Sequence, residues 1–265
     1  ETLGTKAPKC FRDMGTVLSF LDRMATCWWG CKRGDHIVEC LIGRVASSAH
    51  ASLGLMLRGY YDESLSITRS IGEIANLFAL FASDGVAFER WKCSDKRTRL
   101  SEFRPFSVRK ALENLSVKPP VEKERYSLLC EVGTHVTPQT KPQAHNIIDL
   151  PASLGGRFQE EGLFLCLNEL ALSIVLATLY ATQLSNIDSS MKLEILTSGR
   201  VLAESIGGID IIEREKRPWF QLDEETKAKA RAVVRMIQDA PPEMRDKTQK
   251  FLMEEFQKQK LENPT

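Results

Sequence analysis

Two charged residues on one predicted helix, Arg69 and Glu73, are the first candidates for chemistry in this sequence. They stand four residues apart and therefore share one stripe of the helix. Leucines on that stripe and isoleucines on the opposite face predict that both charges are held away from bulk water. Buried charges are tolerated when they are paired and hydrogen-bonded. The two residues therefore form either an ion pair that fixes packing or an arginine offered to an anion in an interior cleft.

Two further polar residues interrupt apolar helices. His135 stands at the predicted end of a helix over 121–136, where the helix dipole favours a protonated imidazole. Glu169 lies within the most apolar stretch of the chain. Since three apolar helices each carry such residues, we expect Arg69, His135 and Glu169 to meet in a shared interior network. That network is either structural or, if a loop covers it, a catalytic site.

The first two predicted helices carry residues that suit a metal ion. Cys27 and Cys31 close the first helix, and His36 and Cys40 open the second across a Lys-Arg-Gly-Asp turn. In an antiparallel hairpin, these four side chains could converge as a tetrahedral zinc site with three thiolates and one imidazole. The alternative is that the cysteines are unligated, because free cysteine is a common buried residue.

Basic residues are concentrated in the middle of the chain. Between residues 85 and 125, lysine and arginine clearly outnumber aspartate and glutamate, and Trp91, Phe103 and Phe106 are interleaved with them. Cations next to aromatic rings suit the phosphates and bases of a nucleic acid. The alternative is a solvated face of short surface helices.

These residues must be positioned by helices, because the apolar residues recur with a helical period almost everywhere. We predict an all-α fold, an antiparallel helical bundle over residues 1–210, followed by a C-terminal helical appendage over 211–265. Proline and glycine predict a long loop or small hairpin over 137–162. The predicted helices cover residues 14–31, 35–58, 61–83, 86–93, 96–103, 107–115, 121–136, 163–183, 189–206, 223–238 and 242–260.

Composition excludes several classes of protein. The chain has 265 residues, 36 lysines and arginines and 35 aspartates and glutamates, a net charge of +1 that excludes a strongly basic coat protein. Seven cysteines and no apolar segment at the start predict reduced thiols in the cytoplasm. The apolar stretch 163–181 is long enough to span a bilayer, but Glu169 inside it favours a buried helix and no membrane partner.

Three stretches carry a resemblance to a known group of proteins. They are the Arg-x3-Glu helix of Arg69 and Glu73, the segment from Tyr126 through His135 to Pro138, and the glycine-rich loop that leads into the apolar helix at Gly162. In this order they resemble uncharacterised bacterial helical proteins that are similar to the HEPN group. The resemblance covers about residues 35–185.

The resemblance implies an RNA-directed protein, commonly a dimer, of the kind found in toxin or anti-phage defence systems. Active HEPN domains are metal-independent ribonucleases with an Arg-x4–6-His motif, and Arg44 and His50 have that spacing. His50 would then act as general acid–base and Arg44 would contact the phosphate, with Arg69 and His135 as the alternative pair. Val45 stands where the motif usually has a polar residue, and many HEPN-like domains bind without cleaving.

Two other functions are open at this point. The C-terminal helices, nearly balanced in charge, could bind a protein partner or mediate self-association without any catalysis. The cysteine cluster could make the chain a zinc-stabilised bundle. We find no phosphate-binding glycine loop, no di-iron Glu-x-x-His pair and no nucleophile elbow. We therefore expect no cofactor, with zinc at the cysteine cluster as the exception that the sequence allows.

Overall fold

The computed structural model describes residues 6–135 and 156–206. The chain divides into two compact units, one of residues 1–145 and 152–209 and the other of residues 146–151 and 210–265. Every described residue belongs to the first unit. The predicted domain boundary at 210 and the predicted C-terminal helical pair therefore lie outside the described residues.

The predicted all-α fold is confirmed, because the described residues form helices and no strands. The third helix covers the predicted residues 61–83, and the last described helix covers the predicted 189–206. The helices are α1 (Lys6–Ala25), α2 (Ile37–Leu57), α3 (Tyr61–Ser83), α4 (Gly85–Lys92), α5 (Lys96–Glu102), α6 (Pro105–Asn114), α7 (Lys123–Gly133), α8 (Glu160–Leu184) and α9 (Ser189–Ile206).

Helices α3 and α8 form the centre of the bundle. They make the most extensive contact between any two helices, and α2 packs against both of them. Helices α1 and α9 close one side, while α6 and α7 pack on α3. Most residues of α8 are buried, and the buried residues lie on every face of the helix, as expected of a helix that is apolar all round.

Small residues let these helices approach closely. A Cβ built on Gly162 at the start of α8 would lie 2.6 Å from Cδ2 of the buried Tyr61 ring on α3. Between α2 and α3, Ser52 Oγ lies 2.8 Å from Ser64 Oγ and 3.0 Å from Thr68 Oγ1. These buried hydroxyls satisfy one another and allow the two backbones to pack tightly.

The predicted loop over 137–162 is described only at its end. Residues 156–159 have no regular secondary structure, and α8 begins at Glu160, a few residues before the predicted start. The backbone N–H of Gln159 donates to the Tyr61 hydroxyl over 2.9 Å, which ties the end of this segment to α3. Residues 136–155, and any hairpin within them, lie outside the described part of the chain.

Three of the described helices, α2, α3 and α8, are long and apolar enough to cross a membrane by length and composition. The sequence singled out only the third of them. Glu169, in the middle of α8, has no solvent-exposed area. The expectations of a cytoplasmic location and of no membrane partner stay predictions.

Candidate functional site

The candidate metal centre begins where α1 ends. The N–H of Trp28 donates to the Arg23 carbonyl over 3.0 Å, and the N–H of Cys27 donates to the Met24 carbonyl over 3.3 Å. This pair of bonds forms a Schellman motif, which places Cys27 in the left-handed position that glycine usually takes. Cys27 has φ 57°. The first helix therefore ends at Ala25, and the prediction that it extends to Cys31 was wrong.

The turn between α1 and α2 is bent by two more residues with positive φ. Gly30 has φ 86°, and His36, the residue that precedes α2, has φ 53°. Left-handed backbone is unfavourable for cysteine and histidine because of their Cβ atoms, and such strain is concentrated at functional sites. Here the bent turn brings the Cys27, Cys31 and His36 side chains together.

These three side chains form a compact set of metal-ligand atoms. One ligand atom from each of Cys27, Cys31 and His36 lies within 4.8 Å of the others. The Nδ1 atom of His36 is 3.3 Å from the Sγ atom of Cys27 and 3.3 Å from that of Cys31. Two thiols and an imidazole at this separation could hold a metal ion.

The fourth predicted ligand, Cys40, does not join this set. It lies exposed on the first turn of α2, and its thiol is not among the clustered ligand atoms. The reason is geometric, because His36 lies in the turn and not on the helix. The i, i+4 spacing of His36 and Cys40 predicted that their side chains share one helical face. In the structure they do not.

Neighbouring groups make the cluster dependent on pH. A hydrogen bond with the Cys31 side chain, followed by loss of solvation, raises the pKa of the Cys27 thiol to about 11. The charge of Glu39 adds to this rise in the pKa. Glu39 is buried, and its Oε2 atom has no hydrogen-bond partner. Because thiols bind metals as thiolates, a metal ion at this cluster must displace protons.

Contacts to α4 fix the turn that carries the cluster. Lys92 at the end of α4 pairs with the Asp35 carboxylate, and this hydrogen bond lowers the pKa of Asp35. The Arg33 guanidinium lies 3.9 Å from the centre of the Phe88 ring. Both contacts orient the segment immediately before His36.

The predicted pair on α3 is part of a second polar cluster. Arg69 Nε lies 3.6 Å from Glu73 Oε1, and both side chains are partly exposed. The Tyr126 hydroxyl on α7 donates to Glu73 Oε1 over 3.0 Å. Burial, followed by the nearby Glu73 charge, raises the pKa of Tyr126 well above its ordinary value, so the hydroxyl stays protonated.

Glu169 has a different partner from the one that the sequence predicted. Arg125 on α7 donates from Nε to Glu169 Oε2 over 2.6 Å and from Nη2 to the Glu169 carbonyl over 3.0 Å. Burial raises the pKa of Glu169, and the Arg125 charge acts in the opposite direction. The structure thus pairs Glu169 with Arg125 and Arg69 with Glu73, while His135 lies exposed just after α7.

Arg44 and His50 are both exposed on α2. His50 Nε2 lies 3.7 Å from Asp22 Oδ2 on α1, with more than half of each side chain exposed. The six-residue separation turns the two side chains about 120° apart on a helix, so they point away from a common centre.

The sequence did not predict Arg125 and Tyr126 as the partners of Glu169 and Glu73, nor the buried Arg109 that lies against the Tyr126 ring. Arg125 and Tyr126 are adjacent on α7, yet they serve different clusters, Glu169 on α8 and Glu73 on α3. The sequence did contain a signal for these partners. Buried carboxylates require cationic or hydroxyl partners, and Arg125 and Tyr126 lie on an amphipathic helix that could supply them.

The described residues form an all-helical bundle with two thiols and one imidazole that could hold a metal ion at the turn between its first two helices. No known protein family matches the sequence, and no curated protein or solved structure matches it either.

Proposed function

We propose that this protein is a zinc-binding helical bundle in which the metal ion fastens the turn between α1 and α2. The observation that carries the proposal is the convergence of two thiols and one imidazole nitrogen within 4.8 Å. Zinc is the expected ion because thiolate and imidazole ligands favour it and it accepts tetrahedral sites. Water or a ligand group from a partner would complete the coordination.

Two surrounding features support a divalent cation at this place. The buried Glu39 carboxylate, with its unpartnered Oε2, acts electrostatically on Cys27 and leaves a negative charge that a cation would offset. Cys27 also keeps a left-handed backbone where glycine would be more stable. A metal bond to the Cys27 thiolate supplies a reason to keep that side chain.

Metal analysis of the purified chain tests the proposal. Protein purified without chelator should contain about one zinc ion per chain, and the variants Cys27→Ser, Cys31→Ser and His36→Asn should each lose most of it. With free zinc a thousandfold above Kd, binding stabilises by about 4 kcal/mol. For a domain of this size that corresponds to roughly 8–16 °C in Tm.

Two matched cysteine variants complete the test. Cys93→Ser removes an exposed thiol outside the cluster and should keep both zinc and Tm. Cys40→Ser should also keep zinc, because Cys40 is not among the clustered ligand atoms. Zinc-free wild-type protein whose Tm does not respond to added zinc would rule the proposal out.

A second candidate function is RNA binding without cleavage, as the HEPN resemblance also suggests. An open depression of about 780 Å³ along α5 is lined by three cations, Lys96, Arg97 and Arg104, together with Asp95, Leu100 and Ser101. These three cations form no ion pair with the carboxylates of the described residues. The exposed Phe106 ring lies beside them, 5.6 Å below the Arg104 guanidinium. Such a surface suits phosphates and stacked bases.

Binding to a labelled single-stranded RNA, followed at several salt concentrations, tests this second candidate. Changing Lys96, Arg97 and Arg104 together to glutamine should weaken binding and reduce the salt slope by about 2, because each phosphate contact on a single strand contributes about 0.7. RNA binding that keeps its affinity and slope in the triple variant would exclude this surface.

The control for RNA binding neutralises an equal number of cations elsewhere. Lys9, Arg12 and Arg23 all lie exposed on α1. Their joint change to glutamine lowers the net charge by the same amount but leaves α5 intact. It should therefore leave most of the affinity in place.

A further inference from the structure

The cluster around Tyr126 contains more positive than negative charge. The Arg69 guanidinium lies 5.8 Å from the centre of the Tyr126 ring, and that of Arg109 on α6 lies 4.6 Å from it. Glu73 is the carboxylate that pairs with Arg69 here. Among the described residues Arg109 has no ion pair, so two guanidinium groups face one carboxylate.

Arg109 is buried with a hydrogen-bond donor unused. Only 7% of the residue is exposed, and its Nη1 atom has no hydrogen-bond partner. The Nε atom of Arg69, next to the same ring, also lacks a hydrogen-bond partner. A buried arginine with no ion pair and an unused donor is costly, and the ring of Tyr126 offsets only part of that cost.

The elements around the cluster hold it in place without a ligand. The Asn76 side chain on α3 donates to the Val121 carbonyl over 3.0 Å and accepts from the Val121 N–H over 2.8 Å. Gly72 leaves room for the Val121 side chain, since a Cβ on Gly72 would lie 2.8 Å from Val121 Cγ2. These contacts fix the start of α7 against α3. The Tyr126 ring, against which both guanidiniums lie, is thus positioned in advance, which reduces the entropic cost of binding.

We propose that Arg69, Arg109 and Tyr126 form a binding site for a small, singly charged oxyanion between α3, α6 and α7. The excess of one positive charge matches one negative charge on the ligand. The unused N–H groups of the two guanidiniums are donors that phosphate and carboxylate oxygens accept well. Partial exposure of Arg69 and Glu73, 22% and 29% of their side chains, gives the anion a route from solvent.

The anion site is independent of the proposed zinc site, because it includes none of Cys27, Cys31 and His36. Inorganic phosphate and acetate are the two probes, each titrated calorimetrically into the full chain. Phosphate binding alone would assign the site to phosphoryl groups, and acetate binding alone would assign it to carboxylates. Absence of heat and of any Tm increase with both anions would overturn the proposal.

The Arg109→Met variant separates a ligand site from a structural arginine. It removes the charge and keeps most of the side-chain volume, so binding of the active probe should weaken at least about tenfold. In buffer without the anion, the variant should be as stable as the wild type or more stable, because an unpaired buried charge has been removed. A structural arginine would instead give a lower Tm and unchanged binding, and that result would refute the site.

Two further variants guard against a folding artefact. Arg69→Met removes the partly exposed guanidinium and should also weaken binding about tenfold. Arg12→Met makes the same chemical change at an exposed position on α1 and should leave binding unchanged. Equal weakening by Arg12→Met would show that the anion binds non-specifically to surface charge, and would overturn the assignment.

Discussion

At the scale of single residues, the backbone of Cys27 is the least expected feature of the candidate metal centre. The i, i+4 spacing of Cys27 and Cys31 predicts neighbours on a helix, but the structure joins them through a turn beyond the end of α1. Their proximity was predictable from spacing, and so was the participation of His36. The left-handed conformations of Cys27 and His36 were not, because positive φ is uncommon for any residue other than glycine, even for histidine, which adopts it more often than most.

Replacing Cys27 by glycine should separate stability from metal binding. Left-handed backbone costs a residue with a Cβ about 1–2 kcal/mol, and glycine at this position avoids that cost. The more flexible unfolded state of the glycine variant reduces the resulting gain in stability by about 0.4–1 kcal/mol. With chelator present, the urea concentration at which Cys27→Gly unfolds should therefore be at least as high as that of the wild type. With zinc present, it should lack the stabilisation that zinc gives the wild type.

Cys27→Ala is the matched control for this comparison. It also removes the thiol but keeps a Cβ in the strained position, so it should be roughly 1 kcal/mol less stable than Cys27→Gly. Equal stability of the two variants in chelator would argue against strain at this position.

At the scale of helices, the period of apolar residues predicted α3 and α9 at their observed bounds and most other described helices within a few residues. The exception is α1, which was predicted over 14–31 and spans Lys6–Ala25. Periodicity identifies the buried face of a helix, but it does not identify which helix packs there. For this reason the pairing of Arg125 with Glu169, and that of Tyr126 with Glu73, could not be predicted. Both pairings depend on where α7 lies between α3 and α8.

Close packing of α3 and α8 makes Gly162 sensitive to substitution. In Gly162→Ala the new methyl group would lie 2.6 Å from the Tyr61 ring, which is 1% exposed and has no space to move. We expect a loss of about 1–3 kcal/mol in the free energy of unfolding, measured by urea denaturation.

Gly199 on α9 provides a control of opposite sign. A Cβ there would meet Val175 Cγ1 at 3.8 Å, an ordinary van der Waals contact. Gly199→Ala should therefore stabilise the chain by up to about 1 kcal/mol through helix propensity. If both alanine variants changed stability in the same direction, the packing argument for Gly162 would fail.

At the scale of the whole molecule, stability should depend on Glu169, the one carboxylate among the described residues that has no solvent-exposed area. Glu169 is inaccessible to solvent, its Oε1 atom has no hydrogen-bond partner, and Arg125 is its counter-ion. The sequence predicted this burial correctly from the apolar residues on both sides of Glu169. The chain has a net charge of only +1, so repulsion between like charges over the whole molecule is small. Local ion pairs such as this one therefore make the main electrostatic contribution to stability.

Arg125→Met should make folding strongly dependent on pH. Burial already raises the pKa of Glu169 in the folded chain, and loss of the cation raises it further. The folded state then binds a proton more tightly than the unfolded state, so stability is present at low pH and is lost as pH rises above the ordinary pKa of glutamate. At neutral pH we expect a loss of about 3–5 kcal/mol, measured as Tm across pH 4 to 8.

The double variant Arg125→Met/Glu169→Gln tests the cause of this pH dependence. Glutamine cannot ionise, so most of the lost stability at neutral pH and the steep pH profile should disappear together. A pH profile that persists in the double variant would mean that another group is responsible.

X-ray absorption at the zinc edge is the most direct test of the proposed metal site. We expect zinc to be bound by two sulfur atoms at about 2.3 Å and by nitrogen or oxygen atoms at about 2.0–2.1 Å. These would be the thiolates of Cys27 and Cys31, the imidazole of His36 and one further light ligand. A zinc shell without sulfur, or one with three sulfur atoms that requires Cys40, would contradict the proposed Cys27, Cys31 and His36 site.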